Sequence, residues 1–261
     1  MTAPIRYAVE AGVAQITLDR PDVFNALSLE LLDALAGCVD EAVLDDAVGA
    51  LLITGAGRAF SAGGDVRSLS AMAGAERPEE PALDAVGRMH GVLTALFRCP
   101  KPVVAAVNGA VAGAGVGLML TADVIWAAET AHVTLAFTGI GASPDGGTTF
   151  LLPRVVGPKL AAELLLTNRR LDAREALAAG LFSRVLGAEE LPTHALDVAR
   201  QLAGGPGNAY AASKELLRRS LLRGYEAQLE EERQTVARSI AGAEFREGVA
   251  AFLEKRPPRF R

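Results

Sequence analysis

Two glycine-rich loops are the stretches of this 261-residue chain whose residue types and spacing could do chemistry. Residues 101–120 read Lys-Pro-Val-Val-Ala-Ala-Val-Asn-Gly-Ala-Val-Ala-Gly-Ala-Gly-Val-Gly-Leu-Met-Leu. Val103 to Val107 predict a short strand apolar on both faces, and Asn108-Gly109 turns the chain. Gly113, Gly115 and Gly117 then alternate ahead of a helix-like apolar run. Glycines at a helix start let another backbone or a ligand come close, and the first N–H groups there have no partner inside the helix. Such a terminus favours a negative or developing negative charge, which suits either a phosphate cradle or an oxyanion hole. The dinucleotide pattern Gly-x-Gly-x-x-Gly fails, because its third glycine falls on Leu118, and no Gly-Lys-Ser/Thr of the Walker type occurs. Close packing of a helix on a sheet would explain one such loop. Two are present: Ala50 to Thr54 predict a buried strand that leads through Gly55–Phe60 into Ser61-Ala62-Gly63-Gly64-Asp65-Val66.

The elements around these loops follow from periodicity. Ile5–Val9 and Val13–Leu18 read as a hairpin turned at Ala11-Gly12. Ser28 is placed to cap a helix whose apolar positions are Leu31, Leu32, Leu35, Val39 and Val43. Met72–Pro81 reads as a mobile surface loop, and Leu83–Phe97 as a helix leading into Lys101. Val124–Ala128 and Val133–Phe137 predict strands, followed by a loop over Gly139–Gly147 and helical segments over Thr148–Leu152 and Pro158–Leu166. From Ala173 onward the chain reads as helices broken by Gly204-Gly205-Pro206-Gly207 and Gly224. The expected organisation is a strand–loop–helix core over residues 1–195 and a helical region over 196–261.

Composition bounds the function. Half the residues are hydrophobic, so the chain can build a sizeable core. A net charge of −5 argues against sequence-independent nucleic-acid binding. Cys38 and Cys99, the two cysteines, form neither a disulfide framework nor a zinc pattern. No apolar run approaches membrane-spanning length and the first residues lack a signal core, so a soluble cytoplasmic protein is the expectation. His90, His132 and His194 are scattered without ligand spacing, and Ser61 and Ser143 lack a histidine partner in any recognisable signature.

In order along the chain, these residues resemble the enoyl-CoA hydratase/isomerase, or crotonase, superfamily. The resemblance rests on Asp19-Arg20-Pro21…Asn25-Ala26-Leu27, Phe60-Ser61-Ala62-Gly63-Gly64-Asp65-Val66, Lys101-Pro102…Asn108-Gly109…Gly113-Ala114-Gly115 with Ala122-Asp123-Val124, and Glu247–Arg256. It implies an α/β fold, a spiral of ββα turns with a C-terminal helical region that supports a homotrimer or a dimer of trimers. It also implies acyl-CoA thioester substrates, with coenzyme A entering as part of the substrate and no separate cofactor. The backbone N–H groups of Gly64 and Ala114 would grip the thioester oxygen, with Ala62, Gly63, Asp65, Val66, Gly113 and Phe137 around the substrate. Arg20, Arg67 and Lys101 are candidate cations for the coenzyme A phosphates, with Phe252 and Lys255 possible contributions from a neighbouring subunit. For each cation a solvated surface charge is the competing reading.

Departures from the family pattern point to the chemistry. The family's hydratases use two glutamates; aligned through the loops, one falls on Gly117 and the other on Phe137, so both carboxylates are absent. One carboxylate remains nearby. Ser143-Pro144-Asp145-Gly146-Gly147-Thr148-Thr149-Phe150-Leu151-Leu152-Pro153-Arg154 resembles the loop of ring-epoxide isomerases of the phenylacetate pathway and of Δ3,Δ2-enoyl-CoA isomerases, whose aspartate shuttles a proton. The family's 4-chlorobenzoyl-CoA dehalogenases carry a nucleophilic aspartate at a comparable place. A 1,3-proton shift needs only one base, and an apolar pocket would raise the Asp145 pKa toward that work. The competing role for Asp145 is a helix N-cap. The expectation is therefore an acyl-CoA isomerase acting through Asp145, Gly64 and Ala114. A hydratase or lyase with other acid–base residues, or a silent acyl-CoA-binding member, is the alternative.

Overall fold

The computed structural model describes residues 3–260. Alternating and fully apolar runs set out its strands in chain order: β1 (Ile5–Glu10), β2 (Val13–Leu18), β3 (Ala50–Gly55), β4 (Ala59–Ser61), β5 (Val103–Val107), β6 (Ala110–Ala112), β7 (Val124–Ala128), β8 (His132–Thr134), β9 (Leu171–Asp172) and β10 (Arg184–Leu186). The helices are α1 (Leu29–Leu44), α2 (Val66–Ala73), α3 (Glu79–Arg98), α4 (Ala114–Leu120), α5 (Thr148–Val156), α6 (Pro158–Thr167), α7 (Ala173–Ala178), α8 (Leu191–Ala203), α9 (Gly207–Ser220), α10 (Tyr225–Ala241) and α11 (Ala243–Glu254).

Among the described residues the strands form a six-stranded sheet, ordered β1-β2-β3-β5-β7-β10, and a four-stranded sheet, ordered β4-β6-β8-β9. β1 and β2 pair antiparallel, Ile5 opposite Leu18, and the rest of the larger sheet is parallel. The successive pairs β3–β4, β5–β6 and β7–β8 each place one strand in the larger sheet and the next in the smaller one. A helix or loop then carries the chain to the following pair. This is the recurring unit legible in the sequence, and it stacks the segments that follow β4, β6 and β8 side by side.

The main core lies between the sheets and α1, α3, α4 and α6, with Leu18, Leu31, Ile53, Phe60, Leu96 and Met119 among its fully buried side chains. Ser28 caps α1 as its position predicts, its Oγ accepting the Leu31 N–H at 3.3 Å. Val13, Ala50, Leu52, Val104, Ala106 and Ala128 face the other side of the large sheet. There they pack under Leu191, Ala195, Ala199 and Ala203, one face of α8.

Four expectations change. The segment read as a loop over Met72–Pro81 narrows to residues 74–78, because α2 runs to Ala73 and α3 starts at Glu79. Pro81 sits in the first turn of α3, where a missing N–H breaks no helical bond. The strand expected over Val133–Phe137 ends at Thr134, and the chain turns through Ala136 at φ 59° into a 3-10 turn at Thr138–Ile140. The run read as purely helical after Ala173 contains β10, which extends the large sheet beside β7. The boundary expected at residue 195 falls inside α8, whose apolar face covers the sheet, and the chain leaves that layer at Gly204-Gly205-Pro206. Among the described residues no helix is long and apolar enough to cross a membrane.

Candidate active site

Three loops, following β4, β6 and β8, converge on the N-terminus of α4. The first is built on buried polar groups. Asn25 sits in the left-handed region at φ 56°, fully buried, and its amide donates to Ala56 O at 2.9 Å and Ala59 O at 2.7 Å. The Ser61 hydroxyl donates to Asn25 O at 2.9 Å and accepts the Gly63 N–H at 3.2 Å. Asp65 caps α2, accepting from the N–H groups of Arg67 and Ser68 at 3.0 and 3.4 Å, and pairs with the Arg20 guanidinium at 3.1 Å. Burial pushes the Asp65 carboxyl up, but the Ser68 and Arg67 amides and Arg20 more than offset it and leave its pKa below the ordinary value. Asp65 and Arg20 are thus committed to each other. The structure corrects the expectation that either is free to bind substrate: both brace the loop.

The second loop turns at Gly113, φ 50°, whose N–H donates to Thr134 O at 3.1 Å, and α4 begins at Ala114. A Cβ added to Gly63 would lie 2.7 Å from Ala112 O and 3.1 Å from Ala114 N; one on Gly115 would lie 2.7 Å from Ser61 O. Glycine is required because the loops touch backbone to backbone. Ala62 N–H is taken by Phe24 O and Asp65 N–H by Leu27 O. The N–H groups of Gly64 and Ala114 donate to none of the described residues. Two adjacent, uncommitted amides on braced loops suit an oxygen that gains negative charge.

The third loop carries Asp145. The side chain is half-buried, and its Oδ1 is buried without a hydrogen-bond partner among the described residues. Burial raises its pKa above the ordinary carboxylate value, with a smaller opposing pull from the charge of His90. The capping alternative does not describe this side chain. Gly147 occupies the cap position of α5, and it is the Asp145 carbonyl, not the carboxyl, that accepts from Thr148 N and Oγ1 at 3.1 and 2.7 Å.

Beside this loop, α3, α4 and α5 enclose a cavity of about 300 Å³ lined by His90, Leu93, Thr94, Phe97, Thr121, Gly146, Gly147, Phe150 and Leu151. Sequence reasoning set His90 aside as scattered. His90, exposed on α3, comes near the Asp145 loop from 55 positions away, and no local spacing connects the two. Gly117 and Phe137 are both buried and carry no titratable group. Among the described residues no cluster of three or more His, Cys, Asp or Glu is placed to hold a metal ion.

The other candidates spread out. Lys101 lies at the opposite end of β5 from these loops, where its ammonium donates to Ala42 O and Asp45 O, both at 2.7 Å. That corrects its assignment as a phosphate-binding cation: it closes the C-terminus of α1. Arg67 and Val66 are exposed on α2, next to the first loop, and Ala62 is exposed at its tip. Phe252, 83% exposed, and Lys255, the left-handed cap at φ 56°, end α11 far along the helical tail. The described chain does not bring these two into contact with the three loops. Asp123 is a loop anchor, accepting from Val103 N at 2.7 Å and from Lys214 Nζ at 2.5 Å.

This geometry has known counterparts. Residues 8–261 match the model of the enoyl-CoA hydratase/isomerase family. A Rhodobacter capsulatus protein named "Probable enoyl-CoA hydratase" is 41% identical over 98% of this chain and 97% of its own. The 1,2-epoxyphenylacetyl-CoA isomerase of Escherichia coli K12 is 38% identical over 97% of this chain and 96% of its own. The crystal structure of an enoyl-CoA hydratase from Polaromonas sp. JS666 superposes with a TM-score of 0.92 at 35% identity, covering 98% of this chain and 99% of that one. The chain therefore has the crotonase fold and belongs to the enoyl-CoA hydratase/isomerase family.

Proposed function

We propose that the protein is an acyl-CoA isomerase that shifts a double bond, or rearranges a ring epoxide, through a thioester enolate. The observation that carries this reading is a half-buried carboxyl, Asp145, whose buried Oδ1 has no partner among the described residues, near two uncommitted amides, with Gly117 and Phe137 where a hydratase would keep its glutamates. Asp145 as carboxylate takes a proton from the carbon α to the thioester. The electron pair moves onto the thioester oxygen, held by Gly64 and Ala114, each donor contributing about 3 kcal/mol to the enolate. Protonated Asp145 then returns the proton at the γ carbon, the double bond ends in conjugation with the thioester, and the base is regenerated. No atom enters from solvent. A raised pKa suits both halves of that exchange.

The protein named 1,2-epoxyphenylacetyl-CoA isomerase among its relatives supports this branch of the family. Arg67, exposed beside the first loop, remains a proposed contact for the coenzyme A phosphates. Phe252 and Lys255 would reach a site only from a neighbouring copy in a homotrimer or a dimer of trimers. In an assay on a 3-enoyl-CoA, Asp145→Asn should lower turnover by at least about 100-fold while saturated acyl-CoA still binds. Full turnover by that variant would remove Asp145 from the mechanism.

A second reading, hydration, is favoured by one observation: His90 lines the cavity that Gly146 and Gly147 of the Asp145 loop also line. His90 and Asp145 could supply the two proton-transfer groups that water addition needs. Incorporation of solvent oxygen into the product, lost in His90→Gln, would select it.

A further inference from the structure

Resting on the reading of Asp145 as the proton shuttle, we infer that Gly117 is a positioning residue. Its bare Cα is the seat that holds the Asp145 loop against the helix bearing the oxyanion amide. In this structure a side chain at position 117 would take the space of the Gly146 carbonyl, so the loop would have to shift to admit one.

A Cβ at Gly117 would lie 2.2 Å from the carbonyl oxygen of Gly146, 3.0 Å from its carbonyl carbon and 3.2 Å from its Cα. All three are backbone atoms, so no rotamer change relieves the overlap. Gly146 adopts φ 60°, and a Cβ on it would meet Ala114 Cα and O at 3.7 Å and Leu93 Cδ1 at 3.6 Å. The residue next to Asp145 therefore lies along the first turn of α4, between Gly117 and Ala114. Those two are three residues apart and share one face of the helix. The separation between the enolate-holding amide and the proton-carrying carboxyl is fixed by these backbone contacts. α4 cannot recede to make room, because every one of its residues is buried.

Gly115, on the same helix, meets Ser61 of the first loop. The two glycines thus serve different loops, and Gly117 is the one that meets the Asp145 loop. The position where the family's hydratases keep a glutamate is closed here by the loop that brings the aspartate.

The test uses the full-length enzyme and a 3-enoyl-CoA. Gly117→Ala should lower kcat at least about tenfold, with KM and the affinity for a saturated acyl-CoA changed less than about threefold, since a displacement of the base by about 1 Å can cost about 100-fold. The acid limb of its kcat–pH profile should move to lower pH, because a loop lifted off α4 admits water to the carboxyl. Gly117→Glu should lose isomerisation without gaining hydration. Unchanged kcat and acid limb in Gly117→Ala would overturn the inference, as would a Gly117→Glu enzyme that hydrates while still isomerising.

If Gly117→Ala does not fold, Asp145→Glu provides the answer. On a rigid seat the longer side chain misplaces the carboxyl and costs at least about tenfold, whereas activity within about threefold of wild type would contradict the seat. Asp145→Asn separates the two claims. Full turnover there would defeat the functional reading itself, whereas an inactive Asp145→Asn beside a fully active Gly117→Ala would defeat only the seat.

Discussion

At the scale of single residues, the two aspartates of the site loops show how environment divides roles. Asp65 is fully engaged and held below its ordinary pKa, so it adds stability above the unfolded-state value that is lost as pH falls through its folded value. Asp65→Ala removes a helix cap and strands Arg20, and should cost about 1 to 3 kcal/mol in denaturant unfolding at neutral pH. The difference from wild type should shrink in acid. Asp145 has the opposite sign. Its folded pKa is raised, so the native state binds more protons than the unfolded chain between the ordinary value and the raised one, and stability falls as pH rises through that window. Asp145→Asn should therefore melt above wild type at neutral pH, the gap closing in acid as the wild-type carboxyl takes up its proton. A melting series across pH checks both signs. The raised pKa also places the acid limb of turnover above the ordinary carboxylate range near 4.

Among elements, the repeated passage from the large sheet to the small one does the positioning. Each pass ends at β4, β6 or β8, and the chain beyond each carries one of the groups the proposed mechanism uses: the Gly64 amide, the Ala114 amide and Asp145. The buried strands and the two glycine-rich loops were legible in the sequence, because apolar runs and paired glycines at helix starts are local signals. Of the small sheet only the strand near Val133 was. Ala59–Ser61 and Ala110–Ala112 are three residues long, too short for any period to register, and they pair across some 50 positions. The place of Lys101 is illegible for a related reason, since a cation before a strand gives no sign that it reaches back to the end of α1. Lys101→Gln should lower the melting temperature by about 2 to 4 °C for each kcal/mol lost at that helix end. It should leave KM for acyl-CoA unchanged; a large rise in KM would return Lys101 to the substrate.

Over the whole molecule, α8 closes the back of the large sheet, and α9, α10 and α11 extend beyond it with Leu222, Tyr225, Phe252 and Leu253 exposed. A groove of about 740 Å³ runs between these helices. Apolar side chains left in water on one region suit association between copies, in keeping with the proposed trimer. Phe252→Asp with Leu253→Asp should give a smaller particle by light scattering at micromolar concentration, and an unchanged mass would separate these residues from assembly. The order of motifs along the sequence disclosed the architecture and the two glycine-rich loops that meet at α4. It did not disclose that the Asp145 loop fills the place of the missing glutamate, because that contact joins residues 117 and 146 through backbone alone.

In the proposed reaction one base moves one proton while water stays out of the chemistry. This is tested most directly by incubating the wild-type enzyme with a 3-enoyl-CoA in water labelled with heavy oxygen and following the first product by mass spectrometry. The account predicts a conjugated 2-enoyl-CoA with the mass of the substrate and no solvent oxygen. A first product carrying labelled oxygen would contradict it.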